Sequence, residues 1–128
     1  MNRGLFLFAS VTGFLAVALG AFGAHGLKNL VSAEMVSVFE LAVEYQFYHT
    51  FALFAVALAW PFIASRLLSW AVGFFIAGMA LFSGSLYALV MTGAKWWGPV
   101  TPLGGTCLLL GWLLLGAAVW RSRVEDGK

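Results

Sequence analysis

From Leu67 to Ala94 the chain carries no Asp, Glu, Lys or Arg. A helix needs about 20 apolar residues to cross the hydrocarbon core of a bilayer, so this run is long enough to span one. Gly4–Ala24, Tyr45–Ser65 and Pro102–Trp120 have the same character. The 128-residue chain is 62% hydrophobic and only 9% charged. Soluble domains carry about 25% charged residues. So few charges cannot cover a water-facing surface, and so apolar a chain does not stay disordered. The predicted fold class is all-α, an integral membrane four-helix bundle. It forms one domain, 1–128, with spans at about 4–24, 43–63, 67–92 and 102–120.

The first run imitates a signal peptide, with Arg3 ahead of an apolar stretch and Ala21-Phe22-Gly23-Ala24 behind it. A signal h-region covers only about 7–15 residues, so the longer uncharged run reads as a first span. The net charge of +2 comes from singly scattered basic residues. They read as topology signals, not as a nucleic-acid surface. Cys107 is the single cysteine, which excludes an intrachain disulfide and a CxxC metal site.

Four spans put both termini on one side. That side carries Arg3, Arg66, Arg121, Arg123 and Lys128; the other carries Lys28 and Lys95. This bias predicts cytoplasmic termini in the inner (plasma) membrane. Trp60, Trp70 and Trp120 then fall near the inner boundary, and Trp96 and Trp97 near the outer one, as an aromatic belt does. Pro61 should stop the second helix. Thr101 as N-cap and Pro102 at the first helical position should start the fourth. The tail Arg121–Lys128 is expected to fray.

The second helix is expected to begin before the membrane, with Ser32 as N-cap and Glu34 in its first turn. Glu34, Ser37, Glu40 and Glu44 recur every three or four residues and form one polar stripe. Residues 33–44 therefore read as an amphipathic interfacial extension of that helix. A solvated face explains the stripe better than a cation site, because no metal-ligand spacing accompanies it.

Lipid tails are as apolar as Leu, so spans associate through close packing and polar contacts. Small residues line one face of each span expected to pack closely. Gly13 and Gly20 lie on the first, Gly73 and Gly84 on the third, and Gly104 and Gly111 on the fourth. These six are the predicted helix-packing glycines of a tight bundle, though part of a stripe can serve an oligomer instead.

An ionisable or polar side chain inside hydrocarbon is a functional hypothesis by default. His25, Gln46, His49, Ser83 and Tyr87 are expected to gather in one buried cluster in the outer half of the bundle. Ser85 should point away from it. Read structurally, the cluster is a hydrogen-bond network that sets helix register. Read functionally, it is a ligand site. Two histidines on different helices can ligate haem, but two without a third ligand make a poor zinc site. No CxxCH, catalytic triad, paired catalytic carboxylates, Walker loop or strand-borne GxGxxG is present in the sequence, so no catalytic or metal residue is assigned.

Four strings occur in order. They are Gly20-Ala21-Phe22-Gly23-Ala24-His25-Gly26-Leu27, Tyr45-Gln46 with His49, Leu81-Phe82-Ser83-Gly84-Ser85-Leu86-Tyr87, and Thr101-Pro102-Leu103-Gly104-Gly105. In this order and spacing the chain resembles the domain-of-unknown-function family 423, small bacterial membrane proteins related to the eukaryotic transmembrane protein 256. The resemblance runs from about Gly4 to Trp120. It implies a four-span topology and bacterial inner-membrane residence, and no specific activity.

The leading expectation is thus a non-enzymatic accessory or scaffold subunit with no cofactor. Its partners would be the lipid bilayer and either further copies of itself or another membrane protein, with no nucleic acid. The alternative is a membrane-embedded binder of haem, quinone or lipid that uses His25 and His49. A small transporter or channel comes third, since four short helices leave little room for a pathway.

Overall fold

The computed structural model describes residues 1–126, with side-chain surroundings through Ser122. Four helices run α1 (Arg3–Ala24), α2 (Ala33–Ala59), α3 (Arg66–Thr92) and α4 (Val100–Asp126). Each is long and apolar enough to cross a membrane. No strand occurs among the described residues.

Each helix start has a local cause. The Asn2 side chain accepts from Leu5 N–H at 3.0 Å and caps α1. Ser32 accepts from Met35 N–H at 3.2 Å and caps α2, with Glu34 in the first turn. Ser65 accepts from Leu67 N–H at 3.2 Å and caps α3. Such caps satisfy amide groups that have no intrahelical partner. A 3-10 turn at Trp60–Phe62 holds Pro61 and ends α2. Gly93 ends α3 with φ 70, a left-handed conformation that favours glycine.

The fourth helix departs from expectation. It begins at Val100, so Thr101 is inside the first turn and is not its N-cap. The Thr101 hydroxyl instead lies 2.6 Å from that of Ser85 on α3. Pro102 is tolerated there because first-turn amides lack a helical acceptor anyway. At the other end α4 continues to Asp126, so the tail from Arg121 is helical and does not fray at that point. Arg123's surroundings and Lys128 lie outside the described side chains.

The helices pack in chain order: α1 on α2, α2 on α3, α3 on α4. The backbone of α1 does not approach α3 or α4, and that of α2 does not approach α4. Two apolar cores result. One, toward the terminal end, joins Leu5, Leu53, Val56, Leu68, Phe75 and Leu108. The other, at the opposite end, joins Leu27, Val36, Phe39, Val43 and Val90.

Glycines set the tightest contact. A Cβ on Gly104 would collide with the Phe82 backbone, one on Gly111 would lie 2.7 Å from the Phe75 ring, and one on Gly78 2.5 Å from Leu108. Gly13 and Gly20 make looser contacts, at 3.5 Å from Thr50 and Val43. Gly73 and Gly84 correct the expectation. A Cβ on either meets nothing within 4 Å, because that face of α3 looks into open grooves and not at a helix. Gly78, on another face, does the packing assigned to them.

Candidate functional site

Between the two apolar cores lies a layer of polar side chains contributed by all four helices. Gln46 of α2 is 7% exposed. Its Nε2 donates to the Thr12 carbonyl on α1 at 2.8 Å, and its Oε1 accepts from the Tyr87 hydroxyl on α3 at 2.6 Å. One amide thus ties three helices together. Beside it the Thr12 and Thr50 hydroxyls pair at 2.8 Å. The Ser83 hydroxyl donates to the Ala42 carbonyl at 2.7 Å.

His49 faces the other way, toward α3 and α4. Its ring is buried against Phe75, with centroids 5.6 Å apart. The Trp112 indole donates to His49 Nε2 at 3.0 Å. An indole N–H can only donate, so Nε2 is the acceptor. The proton then sits on Nδ1, which donates to the Tyr45 carbonyl at 2.7 Å. Both ring nitrogens are occupied and the imidazole is neutral. Every fully buried side-chain nitrogen or oxygen among the described residues has at least one partner.

Three expectations need correcting. His25 is outside the cluster: it caps the C-terminus of α1 and is exposed. It therefore lies at the end of α1, apart from the buried His49, whose ring nitrogens are both hydrogen-bonded. The remaining residues divide into two groups. Gln46, Ser83 and Tyr87 face α1–α3, and His49 faces α3–α4. The depth also differs. Thr12 lies about 14 Å along α1 from Arg3 and about 18 Å from Ala24, near the middle of the span. Phe75, beside His49, is about 14 Å along α3 from Arg66. Gln46 is likewise midway along α2, whereas Ser83 and Tyr87 lie about 14 Å and about 8 Å from Thr92, so the layer starts in the outer half of α3 and reaches down to mid-span. On α2 the apolar side of the amphipathic segment is buried, through Val36, Phe39, Ala42 and Val43, with Val43 against Gly20 and Phe39 against Gly23 and Tyr87. Glu34, Ser37, Glu40 and Glu44 stay exposed on its outer side.

Thr12, Thr50 and Trp112 were missed by reading the sequence. Trp112 had a signal: it sits mid-span, away from both ends where interfacial Trp belongs. Thr50 follows His49 and lies four residues after Gln46, on the same helical face. Thr12 offered only a lone hydroxyl in an apolar run.

The second, third and fourth strings singled out in the sequence meet one another, while the first packs on Phe39 and Val43 of α2. Ser83, Ser85 and Tyr87 of the third reach Ala42, Thr101 and Gln46, while Phe82 receives Gly104 and stacks on Tyr45 at 4.5 Å. The family described as "Protein of unknown function (DUF423)" matches residues 19–105, which hold all four. The chain belongs to this family. The inner membrane protein YgdD of Escherichia coli K12 is 40% identical over 114 residues, covering 89% of this chain and 87% of that one. A Haemophilus influenzae UPF0382 membrane protein is 40% identical over 126 residues, covering 95% and 97%. The Staphylococcus aureus membrane protein SAB0533 is 39% identical over 115 residues, covering 90% and 93%. No solved structure matches. With these relatives and four spanning helices, this family member is a small integral membrane protein. The matched region includes Gln46, His49, Ser83 and Tyr87, while Thr12 and Trp112 lie outside it.

Proposed function

We propose that the protein is a non-enzymatic accessory or scaffold subunit that receives a further transmembrane helix. The observation carrying this reading is the open groove between α1 and α3. It has a volume of about 410 Å³, and Phe8, Ile76, Ala80 and Gly84 form its walls above Gln46 and Tyr87. Ala80 and Gly84 stand four residues apart, the spacing that lets a second helix come close. The Gln46 amide keeps one N–H beyond its bond to Thr12, and a Ser, Thr or Asn carbonyl or side chain of an added helix supplies the acceptor. Native mass spectrometry of the protein extracted in mild detergent tests the reading. A dimer, or a stoichiometric complex, that is lost in Gly84→Leu supports it. A lone monomer for both proteins overturns it.

A second reading rests on that same spare N–H. A groove of this size at mid-membrane suits an apolar molecule bearing a carbonyl, such as a quinone. An added small-molecule mass on the monomer, lost in Gln46→Leu, would favour it over the helix.

We further infer that both termini are cytoplasmic and that the membrane is the inner one. Arg3, Arg66 and Arg121 lie at the terminal end, against Lys28 and Lys95 at the other. A C-terminal fusion to a reporter that fluoresces only in the cytoplasm should light up; a dark fusion of full length overturns the orientation.

A further inference from the structure

At the terminal end, a cavity of about 240 Å³ is lined by Arg66 and Arg121, with Ser65, Leu67 and Trp70. Arg66 opens α3 and Arg121 lies near the end of α4, so the α3–α4 pair brings two arginines to one mouth. Glu34, Glu40 and Glu44 belong to α2 near its start, at the opposite end of the bundle, while Glu125 and Asp126 follow Arg121 on α4, outside the described side chains.

Trp70 also lines a second cavity, of about 440 Å³, that continues along α3 beside α4. Its walls are Gly73, Phe74, Ala77 and Cys107. Gly73 leaves it open, since a Cβ there would meet nothing. The cationic mouth and the apolar groove are therefore adjoining parts of one surface.

Length decides what fits. From Arg66 to Ala77 the helix rises about 16 Å. One leaflet of the hydrocarbon core is about 15 Å deep, half of about 30 Å. Trp70, 63% exposed, stands where head group and acyl chain meet. A free anion would need the mouth and not the groove. A zwitterionic lipid would use the groove and also bring a phosphate, but its ammonium offsets the attraction to two arginines, which favours a lipid of net negative charge. Arginine suits phosphate because its planar fork can bond two oxygens at once.

We propose that this surface binds one anionic glycerophospholipid from the terminal-end leaflet. Its phosphate lies between Arg66 and Arg121, and one acyl chain lies over Gly73 and Ala77. The site is separate from the α1–α3 groove, and it stands whether or not a helix docks there.

The test uses the full chain in detergent with phosphatidylglycerol or phosphatidylcholine of equal chain length, and native mass spectrometry counts retained lipid. Phosphatidylglycerol should be retained preferentially. Arg66→Gln with Arg121→Gln should remove that preference, about fivefold for each arginine and roughly 25-fold for the pair. Both side chains are exposed, so the fold should survive. Gly73→Leu should lower retention of both lipids while leaving the arginines in place. Equal retention of the two lipids by the native chain overturns the proposal, as does a preference unchanged in the arginine double variant. If Gly73→Leu has no effect and inorganic phosphate fully displaces the lipid, the mouth is a simple anion site and the lipid assignment fails.

Discussion

The Trp112 indole nitrogen lies 3.0 Å from His49 Nε2, and this bond links α4 to α2, whose backbones never approach each other. It also fixes the tautomer, because the acceptor nitrogen cannot carry the proton. Trp112→Phe keeps the ring but removes the donor, leaving Nε2 unpaired in an apolar setting. The expected loss of stability is about 1–3 kcal/mol. Thermal unfolding in detergent measures it. His49→Leu should destabilise too, by stranding the indole. The double variant should cost less than the sum, with a coupling of about 0.6–1.7 kcal/mol, the scale found between membrane helices. Strict additivity would mean that the bond contributes nothing.

Gln46 holds α1 in place from the centre of the layer. Gln46→Leu removes its bonds to the Thr12 carbonyl and the Tyr87 hydroxyl together. Because the α1 backbone comes close only to that of α2 among the spanning helices, amide exchange in α1 should rise more than in α3 or α4. Tyr87→Phe removes one of the two bonds and should have a smaller effect on α1. Uniform exchange across all four helices would show that Gln46 does not anchor α1.

Two glycines on neighbouring helices should respond in opposite ways. Gly104→Ala drives a Cβ into the backbone at Phe82, and separating α3 from α4 should cost about 1–3 kcal/mol. Gly84→Ala enters open space and should be neutral or stabilising by up to about 1 kcal/mol, through better helix propensity. Melting temperatures of the two variants as detergent-solubilised monomers test this directly. Equal losses in the monomer would show that another helix of the same chain closes over Gly84.

Haem ligation by His49 requires breaking a bond at one ring nitrogen, and His25 is exposed at the end of α1. Freshly purified protein should therefore show no Soret band, and added haemin should not generate a low-spin spectrum. A bis-histidine spectrum lost in His49→Leu would overturn this account of the ring.

The helices and their polar punctuation were legible from residue order alone. An uncharged run of span length, Ser32 ahead of a first-turn Glu34, and Pro61 near the end of a run each act within a few residues of themselves. Within the candidate site, Ser83 and Tyr87 were legible as sharing a face, since helical geometry places them there. Their partners were not. Whether Tyr87 meets Gln46 or His49 depends on the axial offset of α3 against α2, and an apolar run slides past another without strong preference.

His25 and Gly84 show the same boundary. A histidine near a helix end and a glycine in a small-residue stripe have several possible neighbours in sequence. The chain-order packing, with the α1 backbone close only to that of α2 among the spanning helices, leaves the first exposed and the second facing a groove. The sequence by itself determined the number of spans, their apolar character, and which residue types would have to find partners inside the membrane. The tertiary structure decided the pairing and the depth. The physical reason is that hydrophobicity acts on each helix separately, while close backbone contact at Gly104 and hydrogen bonds through Gln46 and His49 act between helices and select one register.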